Sequence, residues 1–452
     1  MSPRLIQYSD LEKAYDTPER IGRFAGTVAA ADGPDALVVG TGDNTGPGVL
    51  SLVTDGAQSL DLFTALTPAF ETLGNHDFDH GLDATRDIVA RSPQTWLTAN
   101  VERDGVRFAP RLTRPWASRA VDGRQVGFVG VTDPDTAAAN PQATTLTFTD
   151  PLEAVAEATA ALRAAGADAV VVLSHLGRAD EELARACDVD VILGGHVHER
   201  RIDRVAGTLL TRPGANGRTV VEVDLGGAEP TAQFRETAGG PVDDRVESAL
   251  ADRLSAAGLD EVVGHVDEPI DRSRATTYGG ECRLGNLVAD AYRWATGADV
   301  GLQNSGGLRN DTVPLDGALT VADMVSVVPF EEPLTVAELT GAELRTLCRQ
   351  GSGRAVGFGE PGWWHAHLSG VELVWNGDAR TVERLRVDGR PVRDEETYTL
   401  ATSNYLYHTE REFPVLTEAH RVSVGDVQYE ALADYVRETG VAPTVDGWLT
   451  RR

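Results

Sequence analysis

Seven side chains between residues 10 and 198 carry oxygen or imidazole donors, and each stands at or just after a short apolar run. They are Asp10, Glu12, Asp43, Asn75, His175, His196 and His198. The set contains no thiolate, so it suits hard or borderline divalent ions. Asp10 or His175 alone would be read as a solvated loop residue. The full set at successive strand ends predicts a centre for two metal ions.

Spacing adds to this prediction. His196 and His198 are separated by one residue, so on an extended chain both side chains point to the same side and can reach adjacent ions. Asp43 follows Gly40 and Gly42, which would let two ions approach the backbone. Asp43 is therefore the natural bridging carboxylate.

The segment 73–81, with sequence LGNHDFDHG, places an amide, two imidazoles and two carboxylates between glycines. Gly-Asn and Asp-His-Gly are good turn formers, so a polar turn is the plain alternative. The functional interpretation is favoured because the other strand ends supply the ligands that this segment lacks.

Apolar runs and helical segments must position these side chains, and they alternate through the first half of the chain. Residues 5–8, 36–39, 125–131, 169–173, 189–193 and 219–225 read as strands, and residues 18–31, 82–90 and 152–165 as helices. Strands alternating with helices predict a layered α/β domain. Polar residues at the ends of parallel strands converge on one rim of such a sheet.

The chain has 452 residues, too many for one ordinary core. The composition shifts at 236–241, and a charged helical run follows at 243–257. We therefore predict a first domain at 1–238, a linker helix or hinge at 239–258, and a second domain at 259–452.

The formal net charge is −28, and Lys13 is the only lysine. An acidic, lysine-poor surface is typical of proteins from a salt-loaded cytoplasm, with an ordinary acidic mesophilic protein as the alternative. This charge argues against binding long nucleic acid, whose phosphates need a basic face.

The sequence also predicts the setting of the protein. No apolar run approaches the ~18 residues of a membrane helix. Residues 1–8 lead into a strand without the apolar region of a signal peptide, which predicts a cytoplasmic protein without a membrane partner. Cys187, Cys282 and Cys348 lie far apart, so neither a disulfide framework nor a zinc–thiolate site is expected. The oligomeric state is left open.

The ordered motifs resemble those of a known family. Gly42-Asp43, Gly74-Asn75-His76-Asp77, His175 and Gly195-His196-Val197-His198 are similar to the signature of the calcineurin-like metallophosphoesterases. The longer form 74–79 resembles the 5′-nucleotidase branch, and the second half of the chain also fits that branch. The resemblance implies an N-terminal four-layer α/β/β/α metallophosphoesterase domain and a second, α/β substrate-binding domain.

The resemblance also implies which residues would bind each of two metal ions and which would act on the substrate. One ion would be held by Asp10, Glu12, Asp43 and His198, and the other by Asp43, Asn75, His175 and His196. Two such ions activate a water and clamp phosphoryl oxygens during in-line displacement. His76 would stabilise the transition state or assist the leaving group, and Asp79 would fix its tautomer.

The first motif departs from the family. The family normally has Asp-x-His, whereas this chain has Asp10-Leu11-Glu12. A carboxylate is harder than an imidazole, so we predict that Mn²⁺ is favoured, with Mg²⁺ or Zn²⁺ as alternatives. Glu12 could also swing away and leave its ion weakly bound.

In the second half, Asn304-Ser305-Gly306-Gly307-Leu308-Arg309 resembles the Asn-x-Gly-Gly-x-Arg loop of 5′-nucleotidases. The resemblance implies that Arg309 contacts the substrate phosphate and that Asn304 bonds the base. Phe330 would form one aromatic wall of the base site. The second wall would come from 404–413, with Phe413 as the first choice.

Three features in this half depart from the family. Segment 406–413 lacks the expected Gly-Gly-Asp-Gly, and Tyr278 stands where an arginine is expected, although Arg272 and Arg274 lie close. The run Trp363-Trp364-His365 could be a lid or a core insertion.

The predicted function is metal-dependent hydrolysis of nucleoside 5′-monophosphates to nucleoside and phosphate. On the same site, a 2′,3′-cyclic nucleotide phosphodiesterase or a UDP-sugar hydrolase is the alternative. A non-catalytic nucleotide sensor that lost one metal through Glu12 is a rival of another class.

Overall fold

The computed structural model describes residues 2–310, 313–409 and 411–452. The chain divides into two compact units, Met1–Ala257 and Gly258–Arg452. Residues up to Ala257 of the predicted linker thus belong to the first unit. Their helix packs on the helix at 18–31, where the Asp243 N–H donates to the Gly22 carbonyl at 2.9 Å. Gly22 has no side chain, and an added Cβ would lie only 2.9 Å from the Cβ of Glu247, which permits this close packing.

The first unit contains sixteen strands and eight α-helices among its described residues. In chain order the strands are β1 (Arg4–Tyr8), β2 (Ala36–Gly40), β3 (Phe70–Thr72), β4 (Thr95–Leu97), β5 (Val101–Arg103), β6 (Val106–Arg107), β7 (Thr113–Arg114), β8 (Trp116–Val121), β9 (Arg124–Thr132), β10 (Thr147–Phe148), β11 (Ala169–His175), β12 (Val191–Gly194), β13 (Arg201–Val205), β14 (Thr208–Arg212), β15 (Thr219–Asp224) and β16 (Thr231–Glu236). The helices are α1 (Pro18–Ala31), α2 (Val49–Thr54), α3 (Ser59–Leu66), α4 (Gly81–Arg91), α5 (Thr136–Ala139), α6 (Pro151–Ala164), α7 (Asp180–Ala186) and α8 (Asp244–Ala256).

Two sheets face each other in this unit. One has the order β16-β15-β1-β2-β3-β4-β7 and the other the order β13-β14-β12-β11-β9-β8. Their facing sides form one apolar core, with Val39 and Phe70 from the first sheet and Phe128, Val171 and Leu193 from the second. A second core lies between the outer face of the second sheet and α6 and α7. On the outer face of the first sheet, Phe24 of α1 packs against Tyr8 of β1 and Phe63 of α3 packs against Trp96 of β4. These layers confirm the predicted four-layer α/β/β/α arrangement.

The parallel pairings decide where the polar strand ends meet. β1, β2 and β3 are neighbouring parallel strands of the first sheet. β9, β11 and β12 are neighbouring parallel strands of the second. The carboxyl ends of parallel neighbours lie on one side of their sheet.

The second unit has its own strands and helices. The strands are β17 (Val262–Ile270), β18 (Val300–Asn304), β19 (Leu315–Thr320), β20 (Pro333–Thr340), β21 (Ala366–Ser369), β22 (Val371–Asn376), β23 (Thr381–Val387), β24 (Arg390–Pro391), β25 (Thr397–Ser403), β26 (Arg421–Val427) and β27 (Leu449–Arg451). The helices are α9 (Arg274–Gly279), α10 (Arg283–Thr296), α11 (Val321–Val327), α12 (Gly341–Gln350) and α13 (Gln428–Thr439).

The second unit is built around a five-stranded sheet with the order β21-β18-β25-β20-β26. A four-stranded sheet, β24-β23-β22-β27, and the pair β17-β19 complete it. Two apolar cores hold this unit together, one around α10 and one that includes Trp364. Trp364 is buried within the second of these cores, so it is a core residue and not part of a lid.

Candidate metal centre and substrate site

The first sheet delivers the oxygen donors. Asp10 and Glu12 follow β1, Asp43 follows β2 and Asn75 follows β3. The Asp10 N–H donates to the Gly42 carbonyl at 3.0 Å, which ties the first two loops together. The His76 N–H donates to Oδ1 of Asp43 at 2.7 Å, which ties the second loop to the third.

The second sheet delivers the imidazoles. His175 is the last residue of β11, and His196 and His198 follow β12. The His196 N–H donates to both carboxylate oxygens of Asp10, at 3.0 and 3.2 Å. The two sheets therefore meet at the loops that carry the predicted ligands.

Three groups of side chains in the described residues have donor atoms within 4.8 Å of one another. They are Asp10, Glu12 and His198; Asp43, His175 and His196; and Glu12, Asp43 and His76. The first two groups correspond to the two predicted ion sites. The third links them across Asp43, beside His76.

The donor chemistry fits divalent ions. Nδ1 of His175 lies 2.7 Å from the Thr41 carbonyl, to which it can only donate a proton. With that hydrogen bond made, Nε2 of the neutral imidazole offers its lone pair to the site, an arrangement typical of metal ligands. Oδ1 of Asn75 is buried without a hydrogen-bond partner among the described residues. A buried polar atom without a partner is expected where an ion belongs.

Charge at the site is arranged in opposed pairs. Burial would lower the pKa of His175, but Asp43 raises it to about 10. Burial would raise the pKa of Asp43, but His175 lowers it to about 2. Burial raises the pKa of Asp10 to about 7. A proton on His175 thus balances the buried carboxylates when no ion is bound.

Glu12 lies within the site. It is buried, and its Oε1 lies 2.9 Å from Nε2 of His198. The carboxylate that replaces the family's histidine thus lies in the same group as Asp10 and His198.

Backbone strain concentrates at these loops. Asp10, Glu12, Asp43 and His196 have φ values of 51°, 43°, 54° and 69°, in the left-handed region that favours glycine. Such strain persists where the surrounding structure holds it for a function. Gly74 is also needed here, because an added Cβ would lie 2.2 Å from Oδ1 of Asp43.

His76 and Asp79 form the predicted pair. Nδ1 of His76 lies 2.8 Å from Oδ2 of Asp79. Burial would lower the pKa of His76, but the hydrogen bond that its ring donates to Asp79 raises the pKa to about 9. In the protein without bound ions, His76 therefore favours its protonated form.

The sequence analysis did not assign a role to two buried carboxylates whose hydrogen bonds stabilise the loops that carry the candidate ligands. Asp77 accepts hydrogen bonds from the backbone N–H groups of Asp43 at 3.0 Å and Gly74 at 2.7 Å, and it also accepts from Thr45. Buried Glu71 accepts from the Tyr8 hydroxyl at 2.5 Å. Asp77 stood inside a motif already singled out, whereas nothing in the sequence around Glu71 pointed to this contact.

The predicted substrate residues of the second unit lie around Asn304. Asn304 ends β18 and begins the loop 304–309, and Gly306 and Gly307 lie in the same short turn. Its Nδ2 donates to Oε2 of Glu412 at 2.7 Å, and its Oδ1 accepts from Gln303 at 3.0 Å. Sequence reasoning did not single out Glu412.

His365 completes this cluster. Its Nε2 lies 2.5 Å from Oε2 of Glu412. The Tyr405 hydroxyl donates to the other oxygen of Glu412 at 3.1 Å. Burial would raise the pKa of Glu412, but the hydrogen bond from His365 lowers it. The carboxylate is therefore an ionised, internally bonded group.

The two predicted aromatic walls differ in their settings. Phe330 is half-buried, and the Arg309 guanidinium lies 4.6 Å from its ring centroid. Phe413 is only 1% exposed, and the His365 ring is stacked on it with an interplanar angle of 18°. Among the described residues the Phe413 ring is therefore enclosed in the core, with His365 over one of its faces. Tyr278 occupies the position at which the family has an arginine. The guanidinium of Arg274 lies 4.7 Å from the Tyr278 ring centroid.

Comparison with known proteins decides the family. The model of the calcineurin-like phosphoesterases matches residues 3–200, and that of the 5′-nucleotidase C-terminal domain matches residues 262–418. The chain belongs to the calcineurin-like phosphoesterase family and carries a 5′-nucleotidase C-terminal domain. The family and the fold class predicted from the sequence are both confirmed. The prediction of a metallophosphoesterase-type enzyme is confirmed at the level of the family.

Individual relatives agree with this family. The trifunctional nucleotide phosphoesterase protein YfkN of Bacillus subtilis is 25% identical over 79% of this chain and 26% of its own length. Protein UshA of Yersinia enterocolitica is 24% identical over 91% of this chain and 84% of its own length. A 5′-nucleotidase precursor from Thermus thermophilus has a solved structure with a TM-score of 0.71 and 25% identity, covering 100% of this chain and 99% of that one.

Several relatives are longer than the part that this chain matches. The chain spans between 26% and 61% of the length of three of the curated relatives. Among the described residues, no helix is both long and apolar enough to cross a membrane.

Proposed function

We propose that this protein hydrolyses nucleoside 5′-monophosphates to nucleoside and phosphate, using two divalent metal ions. The observation that carries this proposal is the meeting of the two ligand groups, Asp10–Glu12–His198 and Asp43–His175–His196, with a third group that brings His76 next to Asp43. An arrangement of two ligand groups with one adjoining imidazole is suited to phosphoryl transfer, because charge develops on both the attacking and the leaving oxygen.

The residues of this chain have distinct tasks in the proposed reaction. Divalent ions at this site would activate a water and polarise the phosphoryl oxygens. The side chain of His76 is 38% exposed, so it can reach a bound substrate. Asp79 holds Nδ1 of His76 and leaves Nε2 directed away from it. His76 would then donate a hydrogen bond to the phosphoryl group or a proton to the leaving oxygen.

The second unit is proposed to bind the nucleotide. Arg309 is exposed and presents a planar guanidinium suited to phosphate, with Phe330 packed against it. Within segment 404–413, of which Glu410 lies outside the described residues, Tyr405 is 43% exposed. Since Phe413 is covered, we assign the second aromatic wall to Tyr405, and Glu412 lies beside it as a hydrogen-bond acceptor.

A second substrate class is supported by the name of one relative. One relative is called a trifunctional nucleotide phosphoesterase. A 2′,3′-cyclic nucleotide or a UDP-sugar is therefore the alternative substrate, and the non-catalytic sensor is the alternative without turnover.

The preferred metal follows from the ligand set. Glu12 adds a carboxylate to the Asp10–His198 group, so this group is rich in hard oxygen donors. We therefore propose Mn²⁺ as the favoured ion, ahead of Zn²⁺. A cytoplasmic location and adaptation to high salt stay predictions from the sequence.

The deciding experiment is substrate profiling in parallel with metal analysis. AMP, 2′,3′-cyclic AMP and UDP-glucose are offered to the purified protein with Mn²⁺, and products are separated by chromatography. Adenosine and phosphate from AMP would support the proposal. Exclusive cleavage of 2′,3′-cyclic AMP or UDP-glucose would show that the proposed substrate class is wrong. Binding of AMP without turnover would favour the non-catalytic sensor.

A further inference from the structure

Asn140 bridges two residues of the candidate active site, although nothing in the sequence marks it. It stands between α5 and the short turn at 141–143 and is buried. Its Nδ2 donates one hydrogen bond to Oδ1 of Asp79 at 2.8 Å and another to the Asn75 carbonyl at 2.9 Å. Both N–H groups of one amide are therefore used on the segment that carries His76.

The orientation of this amide is fixed by its partners. Oδ1 of Asn140 accepts from the Gln142 N–H at 2.9 Å, and a backbone N–H can only donate. The Asn75 carbonyl can only accept. If the amide were flipped, oxygen would face the Asn75 carbonyl and the Asp79 carboxylate, and nitrogen would face a donor. All three contacts thus agree on one orientation.

Each oxygen of Asp79 has a single task. Oδ1 is held by Asn140 and Oδ2 faces Nδ1 of His76 at 2.8 Å. Without Asn140 the Asp79 carboxylate could rotate, because its side chain is 27% exposed and water could take the place of the amide. The His76 ring, which is oriented by its hydrogen bond to Asp79, would then no longer be held in one orientation.

We propose that Asn140 is a positioning residue for His76: it fixes the Asp79 carboxylate and the Asn75 backbone, so that the His76 imidazole is held in one orientation toward the substrate. The catalytic part of this inference rests on the proposed function, because it takes His76 to act on the phosphoryl group or the leaving oxygen. The geometric part concerns the His76–Asp79 hydrogen bond and holds for the protein without substrate.

The geometric part is tested by proton NMR. The His76 Nδ1–H proton, identified by its loss in His76→Ala, reports the hydrogen bond to Asp79. We expect this signal to broaden or disappear in Asn140→Ala. It should persist in Asn100→Ala, a matched control whose buried amide, within the described part of the chain, bonds only to the backbones of Thr132 and Thr149. An unchanged signal in folded Asn140→Ala would overturn the inference.

The catalytic part is tested by two substrates with different leaving groups. AMP releases a ribose alkoxide that needs a proton, whereas p-nitrophenyl phosphate releases a stable phenolate. Removing a hydrogen-bond partner that supports an active-site residue typically lowers activity about 10- to 100-fold. We therefore expect Asn140→Ala to lower kcat for AMP by that factor and to change KM little. The loss for p-nitrophenyl phosphate should be several-fold smaller.

A double-variant comparison separates positioning from a loss of stability. If Asn140 acts through His76, then Asn140→Ala adds little further loss in a His76→Ala protein, because residues that act as a unit are not additive. Equal losses on both substrates, or full additivity, would make Asn140 a structural residue only. Should Asn140→Ala fail to fold, Asn140→Ser serves, since it shortens the side chain and removes both donors to Asp79 and Asn75.

The two proposals fail in different ways. Wild-type protein without turnover on either substrate would overturn the proposed function and the catalytic role of Asn140 together. Wild-type turnover with an unaltered substrate ratio in Asn140→Ala would overturn the role of Asn140 alone.

Discussion

Nε2 of His175 lies 3.0 Å from Oδ2 of Asp43, and both side chains are almost completely buried. Nδ1 of the same ring faces the Thr41 carbonyl. Without a metal ion, a proton on His175 offsets the carboxylate charge, because Asp43 raises the pKa of His175 to about 10 against the effect of burial. An ion bound between these two side chains must therefore displace that proton.

Metal affinity should consequently rise with pH. Each ion that enters the Asp43–His175 site releases a proton, so apparent affinity for Mn²⁺ is expected to increase from pH 6 to pH 8. Isothermal titration in two buffers of different ionisation enthalpy measures the released proton. His175→Gln removes that proton and should weaken binding by more than the about 10- to 100-fold typical of outer partners. pH-independent affinity with no proton release would contradict this account of the site.

Replacing the imidazole of His76, the proposed catalytic group, should separate turnover from metal binding. His76→Ala is expected to lower kcat for AMP by about 10²- to 10⁴-fold, the range for a lost general acid or base. Metal content, measured by mass spectrometry, should change little in comparison. His265→Ala, which alters an exposed histidine of the second unit, is the control. Wild-type kcat in His76→Ala would remove His76 from the mechanism.

The aromatic wall can be located by a pair of substitutions. Tyr405→Ala should raise KM for AMP about 10-fold, because a base–aromatic stack contributes about 1–3 kcal/mol. Phe413→Leu should leave KM nearly unchanged and lower the melting temperature, since Phe413 is a core residue under His365. The reverse pattern would restore Phe413 as the wall and require His365 to move aside on binding.

Much of the candidate metal centre could be predicted because its candidate ligands stand at strand ends, in short motifs with few alternatives. The strand β2 ends at Gly40 and the helix α1 spans Pro18–Ala31, in close agreement with the sequence pattern. The covering of Phe413 could not be predicted, because His365 is 48 positions earlier in the chain and only the fold brings them together. Asn140 was missed for the same reason: it is 61 positions from Asp79.

The linker helix shows another limit of sequence reasoning. A charged run after a composition shift looks like a connection between domains. However, the apolar face of α8, with Val246, Leu250 and Leu254, is buried, and Arg253 pairs with Asp61 of α3. Burial of that face makes α8 part of the first unit. In the sequence, the only indication that α8 packs on the first unit is these three apolar residues within a charged helix.

Buried Glu71 should make stability depend on pH. Burial raises the pKa of Glu71 from 4.5 to about 8, so between these values the folded protein binds a proton that the unfolded chain does not. Its contribution to stability is therefore full below pH 4.5 and is lost as pH rises to about 8. Glu71→Gln mimics the protonated form, and its gain in melting temperature over wild type should grow from pH 5 to pH 8. Exposed Glu395→Gln is the control, and a gain that does not vary with pH would refute the assignment.

The acidic surface predicts a response to salt. At molar KCl the Debye length is ~3 Å, so repulsion among the carboxylates behind the net charge of −28 is screened. Melting temperature and activity should both rise between 0.1 M and 2 M KCl. An optimum at low salt would mark the protein as an ordinary acidic one and leave the metal centre unaffected.

The most direct test of the central claim is phosphate release from AMP in 2 M KCl, before and after removal of metal with a chelator, followed by addition of Mn²⁺ or Zn²⁺. We expect release to stop on metal removal and to return with Mn²⁺ more fully than with Zn²⁺. Full release by the metal-free protein would contradict the claim that Asp10, Glu12, Asp43, Asn75, His175, His196 and His198 hold catalytic ions.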